Sequence, residues 1–453
     1  MLRTRFWLVL VMGLLGLTLG ARESKAQLIV EQPKGNEPVK VAANLGHPVL
    51  LADHSGRTFL KIGFNAMAPE QSARRAPINV AIVLDRSASM AGERIEKAKQ
   101  AAAMVIDRLT PDDVVSVVAY NETVSVLVPA TPARNPAELS GEVAAIQAEG
   151  TTALFAGVSK GAHEVRKYVE QNRVNRIVLL SDGMANVGPS SSGELAELGQ
   201  ALAKQGISVT TIGLGEDYNE DLMVALARAS DGNHGYARSA DDLDRIFRLE
   251  FASQAAVVAR DVRVSVHLGP GMRAVRVLGR DAEVTDSAVA ARINELYPNQ
   301  ERYLLLEVEL AAGGAGQQRE VASVDVRYID PLTRSTRTLS SKVDVSFVKS
   351  TAEVESHLNR DVMATGATLV ANEANKQAVL LRDQGKTDDA VALLEKNAVF
   401  LEQKAREYGS DRLRKDAELN RQQKQQLPAP NWNDSRKSMR KKQFQYDFAP
   451  AEL

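Results

Sequence analysis

The chain has 453 residues, 44% of them hydrophobic and 25% charged, with a formal net charge of −1. That length exceeds one ordinary core and implies two or three domains, while the near-zero charge excludes a general attraction to nucleic acid or anionic membrane. Cysteine is absent, which excludes disulfides, thiolate metal sites and a lipidated cysteine, and leaves stability to the cores.

Arg3 and Arg5 precede an apolar run over 6–21, and Ser24 and Ala26 stand at −3 and −1 of a cut before Gln27. A basic start, a short apolar core and small-x-small predict a secretory signal over 1–26. The run is shorter than the ~20 apolar residues of a spanning helix, so membrane contact is expected only if the segment stays uncleaved. Export is the expectation, and the lack of cysteine suits a bacterial periplasm, cell envelope or exterior.

Within 27–75, short strands are predicted at 39–43, 48–51 and 58–64, separated by turn residues. From 76 to 252 the pattern alternates. Strand-like runs at 78–84, 114–120, 176–181 and 207–212 are interleaved with helical spacing at 95–109, 154–170, 194–204 and 220–230. A short strand near 124–128 and a closing helix at 241–252 complete the count. Near-continuous Val/Ile/Leu strands with helices between them imply a parallel sheet covered on both faces, a doubly wound α/β domain.

Short, β-branched, often alternating segments fill 253–350 and read as an antiparallel β-sandwich. The three early strands have no core of their own, so they are expected to complete this sandwich, with the α/β domain inserted between its parts. Residues 351–426 read as a helical hairpin broken at Gly385-Lys386-Thr387-Asp388. Residues 427–453, with Pro428, Pro430 and a basic run over 436–442, read as a flexible basic tail.

Chemistry concentrates in three segments: Asp85-Arg86-Ser87-Ala88-Ser89, Gly150-Thr151-Thr152-Ala153-Leu154 and Ser181-Asp182-Gly183. Alone, Asp and Ser after a strand make turns or cap a helix. Together, in this order and each at a predicted strand end or helix start, they offer carboxylates and hydroxyls to a hard divalent cation. In the strand order 3-2-1-4-5-6, Asp85 and Asp182 close neighbouring strands and flank the crevice where such sheets bind ligands.

This D-x-S-x-S, G-x-T, S-D-G set resembles the metal-ion-dependent adhesion site of the von Willebrand factor type A domain. The layout is similar to bacterial secreted proteins of that family, and more loosely to inter-alpha-trypsin inhibitor heavy chains. The resemblance implies Ser87, Ser89 and Thr152 as direct ligands, with Asp85 and Asp182 carrying charge directly or through water. Mg²⁺ suits such a site best, with Mn²⁺ or Ca²⁺ as substitutes. An open coordination place would take an Asp or Glu carboxylate of a protein partner.

The expected function is therefore an exported, non-enzymatic, metal-dependent adhesion or scaffold protein. The alternatives are a structural subunit of an envelope assembly whose metal only stabilises, and a cryptic metal-dependent hydrolase. Asp85-Arg86-Ser87 lacks the second aspartate of haloacid-dehalogenase-type phosphatases. Gly213-Leu-Gly215 reads as a plain turn, since Tyr218 occupies the third glycine position of a dinucleotide fingerprint. Gly385-Lys386-Thr387 ends like a P-loop, but Leu380 stands where its first glycine belongs. The six histidines show no zinc spacing, and the sequons at Asn121 and Asn433 read as chance tripeptides.

Overall fold

The computed structural model describes residues 38–67, 76–169, 173–183, 185–215, 217–238, 242–243, 245–246, 257–298 and 301–448. The expected leader at 1–26 and most of the expected helix at 241–252 lie outside them. Three strands come first: β1 (Val39–Leu45), β2 (Val49–Leu51) and β3 (Gly56–Ala66). β1 and β3 pair antiparallel, yet two strands alone cannot bury Leu60, Ile62 and Phe64.

The chain next builds β4 (Ile78–Asp85), α1 (Glu93–Asp107), β5 (Val114–Tyr120), β6 (Val124–Pro132), α2 (Pro136–Ala144) and α3 (Leu154–Arg166). It continues through β7 (Val174–Ser181), α4 (Ser192–Lys204), β8 (Ile207–Leu214), α5 (Glu220–Ala229) and β9 (His234–Ala237). The strands lie in the order β6-β5-β4-β7-β8-β9, all parallel except β6, which returns antiparallel on β5. Every residue of β4, β5, β7 and β8 is buried, as strands covered on both faces require.

The two-residue period divides β4 between the faces. Val80, Ile82 and Leu84 pack with Ile95, Ala102 and Val105 of α1, while Ala81 and Val83 pack with Val158, Ala162 and Val165 of α3. The expected strand near 124–128 is β6. Sequence reading missed α2, which buries only Val143, and β9, which is too short to show a period.

Seven strands follow: β10 (Ala259–Leu268), β11 (Met272–Leu278), β12 (Glu283–Val284), β13 (Ala288–Leu296), β14 (Glu301–Leu310), β15 (Gln318–Ile329) and β16 (Thr336–Val348). With the first three they form two sheets, β1-β3-β14-β11 and β12-β13-β10-β15-β16-β2. One core joins them, with Leu60, Ile62, Phe64, Leu304 and Leu306 facing Val262, Val264, Val324, Val326 and Phe347. The early strands thus complete the sandwich, one pair in one sheet and β2 on β16 in the other. The α/β domain is an insertion between β3 and β10.

Helices complete the described residues: α6 (Thr351–Ser356), α7 (Arg360–Asp383), α8 (Thr387–Tyr408), α9 (Asp411–Gln426) and α10 (Trp432–Phe448). The expected hairpin is corrected to three long helices after the short α6, because Gly409 in the left-handed region breaks the run a second time. α7 covers the outer face of the four-stranded sheet, where Leu278, Tyr303 and Leu305 meet Leu369 and Tyr446. Gly366 permits this approach, since a Cβ there would collide with the Phe59 ring.

The expected flexible tail is also corrected. Residues 432–448 are α10, which buries Met439, Phe444 and Phe448. A basic run reads as solvated only until acids are found opposite it. Here Arg436 pairs with Glu220 and Asp221 of α5 and with Asp383 of α7, and Lys437 and Arg440 join the same acids.

Candidate functional site

Asp85 ends β4, beside Tyr120 at the end of β5 and Ser181 at the end of β7. It is fully buried, as is Asp182. One Asp85 oxygen accepts the Ser87 amide at 2.9 Å, which closes the turn into a 3₁₀ segment at Ala88–Met90. The other accepts the Ser181 hydroxyl at 2.6 Å and the Tyr120 phenol at 3.4 Å. Burial pushes the Asp85 carboxyl above its ordinary value; the Ser181 hydroxyl and the Ser87 amide pull it back in part, and Asp182 adds to the rise. Burial, and then the Asp85 charge, also push the Tyr120 phenol well above its usual value.

The hydroxyls form a chain. Ser87 Oγ lies 3.0 Å from Ser89 Oγ, and Ser89 Oγ donates to Asp182 Oδ1 at 2.9 Å. Thr152 comes from the segment before α3, and its amide donates to Asn186 Oδ1 at 2.8 Å. Gly183 shows how the groups converge. A Cβ built there would stand 3.1 Å from Thr152 Oγ1, 3.5 Å from Ser89 Oγ and 3.6 Å from Asp85 Oδ2. The side chain that Gly183 lacks is the space these oxygens share.

Backbone hydrogen bonds hold the loops in register. Ala88 donates to the Gly150 carbonyl at 3.0 Å, Glu149 to the Arg86 carbonyl at 2.7 Å, and Ala153 to the Asn121 carbonyl at 2.8 Å. Gly150 sits at φ +78°, where a side chain would also strike Glu122, and Glu122 accepts the Thr151 amide at 2.8 Å. Asn121 is buried and bonded to Arg86 and Glu149, so its sequon offers no free amide.

All five sequence-predicted residues, Asp85, Ser87, Ser89, Thr152 and Asp182, therefore meet at one sheet end. Thr152 is buried and aimed inward, whereas Thr151 is exposed. Among the described residues no three His, Cys, Asp or Glu side chains gather to hold a metal, so a cation here would draw on hydroxyls as well as carboxylates. Such all-oxygen donors fit a hard divalent ion.

Sequence reading missed the supports: Ser181, Tyr120, Asn186, Arg94 and Asp217. Ser181 stood in the quoted motif but was given no role. Arg94 Nη1 donates to Asp182 Oδ2 at 2.6 Å and Nη2 to Asp217 at 2.9 Å. Asp217 follows Gly213-Leu-Gly215, the segment read as a plain turn, and no local pattern links it to Arg94.

Comparison with known proteins agrees with this architecture. The von Willebrand factor type A domain model matches residues 79–249. The uncharacterized protein sll0103 of Synechocystis is 30% identical over 297 residues, covering 63% of this chain and 70% of that protein. Human inter-alpha-trypsin inhibitor heavy chain H3 is 29% identical over 171 residues, 36% of this chain and 19% of its own length. A solved von Willebrand factor type A protein from Catenulispora acidiphila superposes with a TM-score of 0.70 at 17% identity, covering 93% of this chain and 99% of that one. At that identity the likeness is one of fold.

Proposed function

This chain belongs to the von Willebrand factor type A domain family, a module used for protein–protein interaction and adhesion, and we propose that it binds a protein partner through a divalent cation. The observation that carries this reading is the convergence of Asp85, Ser89 and Thr152 oxygens on the space beside Gly183. Ser87, Ser89 and Thr152 would hold Mg²⁺, or Mn²⁺ or Ca²⁺, by their hydroxyls, and Asp85 and Asp182 would supply the charge. When bound, the cation supplies an acceptor place for an Asp or Glu carboxylate of the partner.

The chain's own groups do the rest. Ser181 and Tyr120 hold Asp85, Asn186 holds the Thr152 backbone, and burial of both aspartates keeps water from competing for them. The reading is of an exported, non-enzymatic adhesion or scaffold protein of the cell envelope or exterior. The basic amino-terminal segment with its small-x-small cut supports export.

Calorimetric titration of Mn²⁺ into the full chain tests the site. Ser87→Ala/Ser89→Ala and Gly183→Ala, the second filling the shared space, are each expected to weaken binding on the order of 10–100-fold while retaining the wild-type circular dichroism. Capture of a partner from envelope extract is expected with Mg²⁺ and not with EDTA. Equal capture in both conditions, with chelation lowering only the melting temperature, would favour a structural subunit with a stabilising metal instead.

A further inference from the structure

The two oxygens of Asp182 are used differently. Oδ1 accepts the Ser89 hydroxyl and so faces the hydroxyl chain. Oδ2 accepts Arg94 Nη1 at 2.6 Å, and that carboxylate is fully buried. Arg94 reaches it from the first turn of α1, and its other terminal nitrogen donates to Asp217 in the loop after β8. Gly215 makes the seat. It sits at φ +69°, and a Cβ there would stand 3.1 to 3.4 Å from the guanidinium atoms. A backbone conformation and an acid from a distant loop thus hold one permanent cation against the buried carboxylate, since arginine does not deprotonate in proteins.

We propose that Arg94 is a built-in counter-cation of the site, which makes capture of the divalent ion depend on the partner's carboxylate. The inference rests on the cation-bridge reading and deepens it. Asp85 and Asp182 carry two negative charges, and Arg94 cancels one. A divalent cation on this chain alone would then leave one positive charge uncompensated beside two fully buried carboxylates. A single carboxylate from outside closes the balance. Asp217 contributes little to that count, because its side chain is 69% exposed and water screens it.

Without Arg94 the two aspartates would neutralise the ion by themselves and hold it whether or not a partner was present. With Arg94 the ion and the partner's carboxylate each strengthen the other, and by linkage they do so by the same factor. Arg94 also turns Asp182 so that Oδ1 meets Ser89. It is a positioning residue and sets the charge of the site, and the partner class it selects is an acidic side chain.

The test is titration of Mn²⁺ into the full chain at low salt, with and without sodium acetate as the carboxylate probe. Without acetate, Arg94→Ala is expected to bind Mn²⁺ about tenfold more tightly than wild type, from removal of one charge a few ångströms away. Arg94→Lys, which keeps the charge and loses the fork, is expected to stay within about threefold of wild type. Acetate is expected to tighten Mn²⁺ binding in wild type and in Arg94→Lys, and to do so less in Arg94→Ala. If Arg94→Ala does not fold, Arg94→Gln supplies a neutral side chain of similar reach. Mn²⁺ binding by the neutral variant that is unchanged or weaker overturns the proposal. A wild type that binds no Mn²⁺ under any condition overturns the cation reading itself, which is a different result.

Discussion

At the scale of residues, this protein places titratable groups where water cannot serve them. His234 is the sharpest case. It is buried, with Thr211 Oγ1 2.9 Å from Nδ1 and Tyr218 Oη 3.4 Å from Nε2. Burial, with the Lys441 charge adding to it, lowers its pKa from 6.5 to about 3. Between those values the unfolded chain binds a proton that the folded chain refuses, so stability rises with pH across the window and is complete above about pH 6.5. Acidification to pH 5 is therefore expected to cost up to about 2 kcal/mol through this residue. Urea unfolding at pH 7, 6 and 5 measures it, and His234→Gln should flatten that part of the profile. An identical pH slope in the variant would remove His234 from the account.

At the scale of elements, close approach of α3 to the sheet connects packing to the site. Gly157 and Gly161 lie one turn apart on the same face. A Cβ at Gly157 would stand 2.6 Å from the Tyr120 ring, and one at Gly161 2.6 Å from Val83. Tyr120 in turn donates to Asp85, so the helix-to-sheet spacing also sets the orientation of a site carboxylate. Gly157→Ala gains helix propensity of about 1 kcal/mol but overpacks by about 1–3 kcal/mol, and overpacking should prevail by about 1 kcal/mol. Gly141 in α2 has open space around its missing Cβ, so Gly141→Ala is expected to stabilise by up to about 1 kcal/mol. Thermal midpoints should move in opposite directions for the two substitutions. Movement in the same direction would sink the packing argument.

At the scale of the whole molecule, α10 fastens three parts together. Arg436 bridges α5 of the inserted domain to α7 of the helical region. Arg302 of β14 donates to the Phe448 carbonyl at 2.9 Å, and the Tyr446 hydroxyl donates to Asp416 of α9 at 2.5 Å. Burial acts to lower the Arg436 pKa, but Asp383, Asp221 and Glu220 together raise it. Without Arg436, Glu220 keeps Lys437 and Asp221 keeps Arg440, while the partly exposed Asp383 loses its ion pair, a loss that water screening holds to about 1–2 kcal/mol. Arg436→Ala is expected to lose about that much in calorimetry and to lose hydrogen-exchange protection over 432–448. Full retention of that protection would show that apolar contacts alone dock the helix.

Much of this was legible along the chain. Uninterrupted apolar strands between 3.6-period helices specify a doubly wound domain, because each period records how many faces of an element are covered. The topology then brings Asp85 and Asp182 together, since β4 and β7 are neighbours with carboxyl ends on one side. The motif spacing places Ser87, Ser89 and Thr152 there as well. Only the tertiary structure decided what those residues lean on. Arg94 meets Asp182 across 88 positions, and Arg436 meets Asp221 across 215. A charge carries no periodicity, so its partner is chosen by how folded elements pack. That is why a basic run that looks solvated in sequence becomes a docked helix, and a plain turn becomes the seat of an arginine.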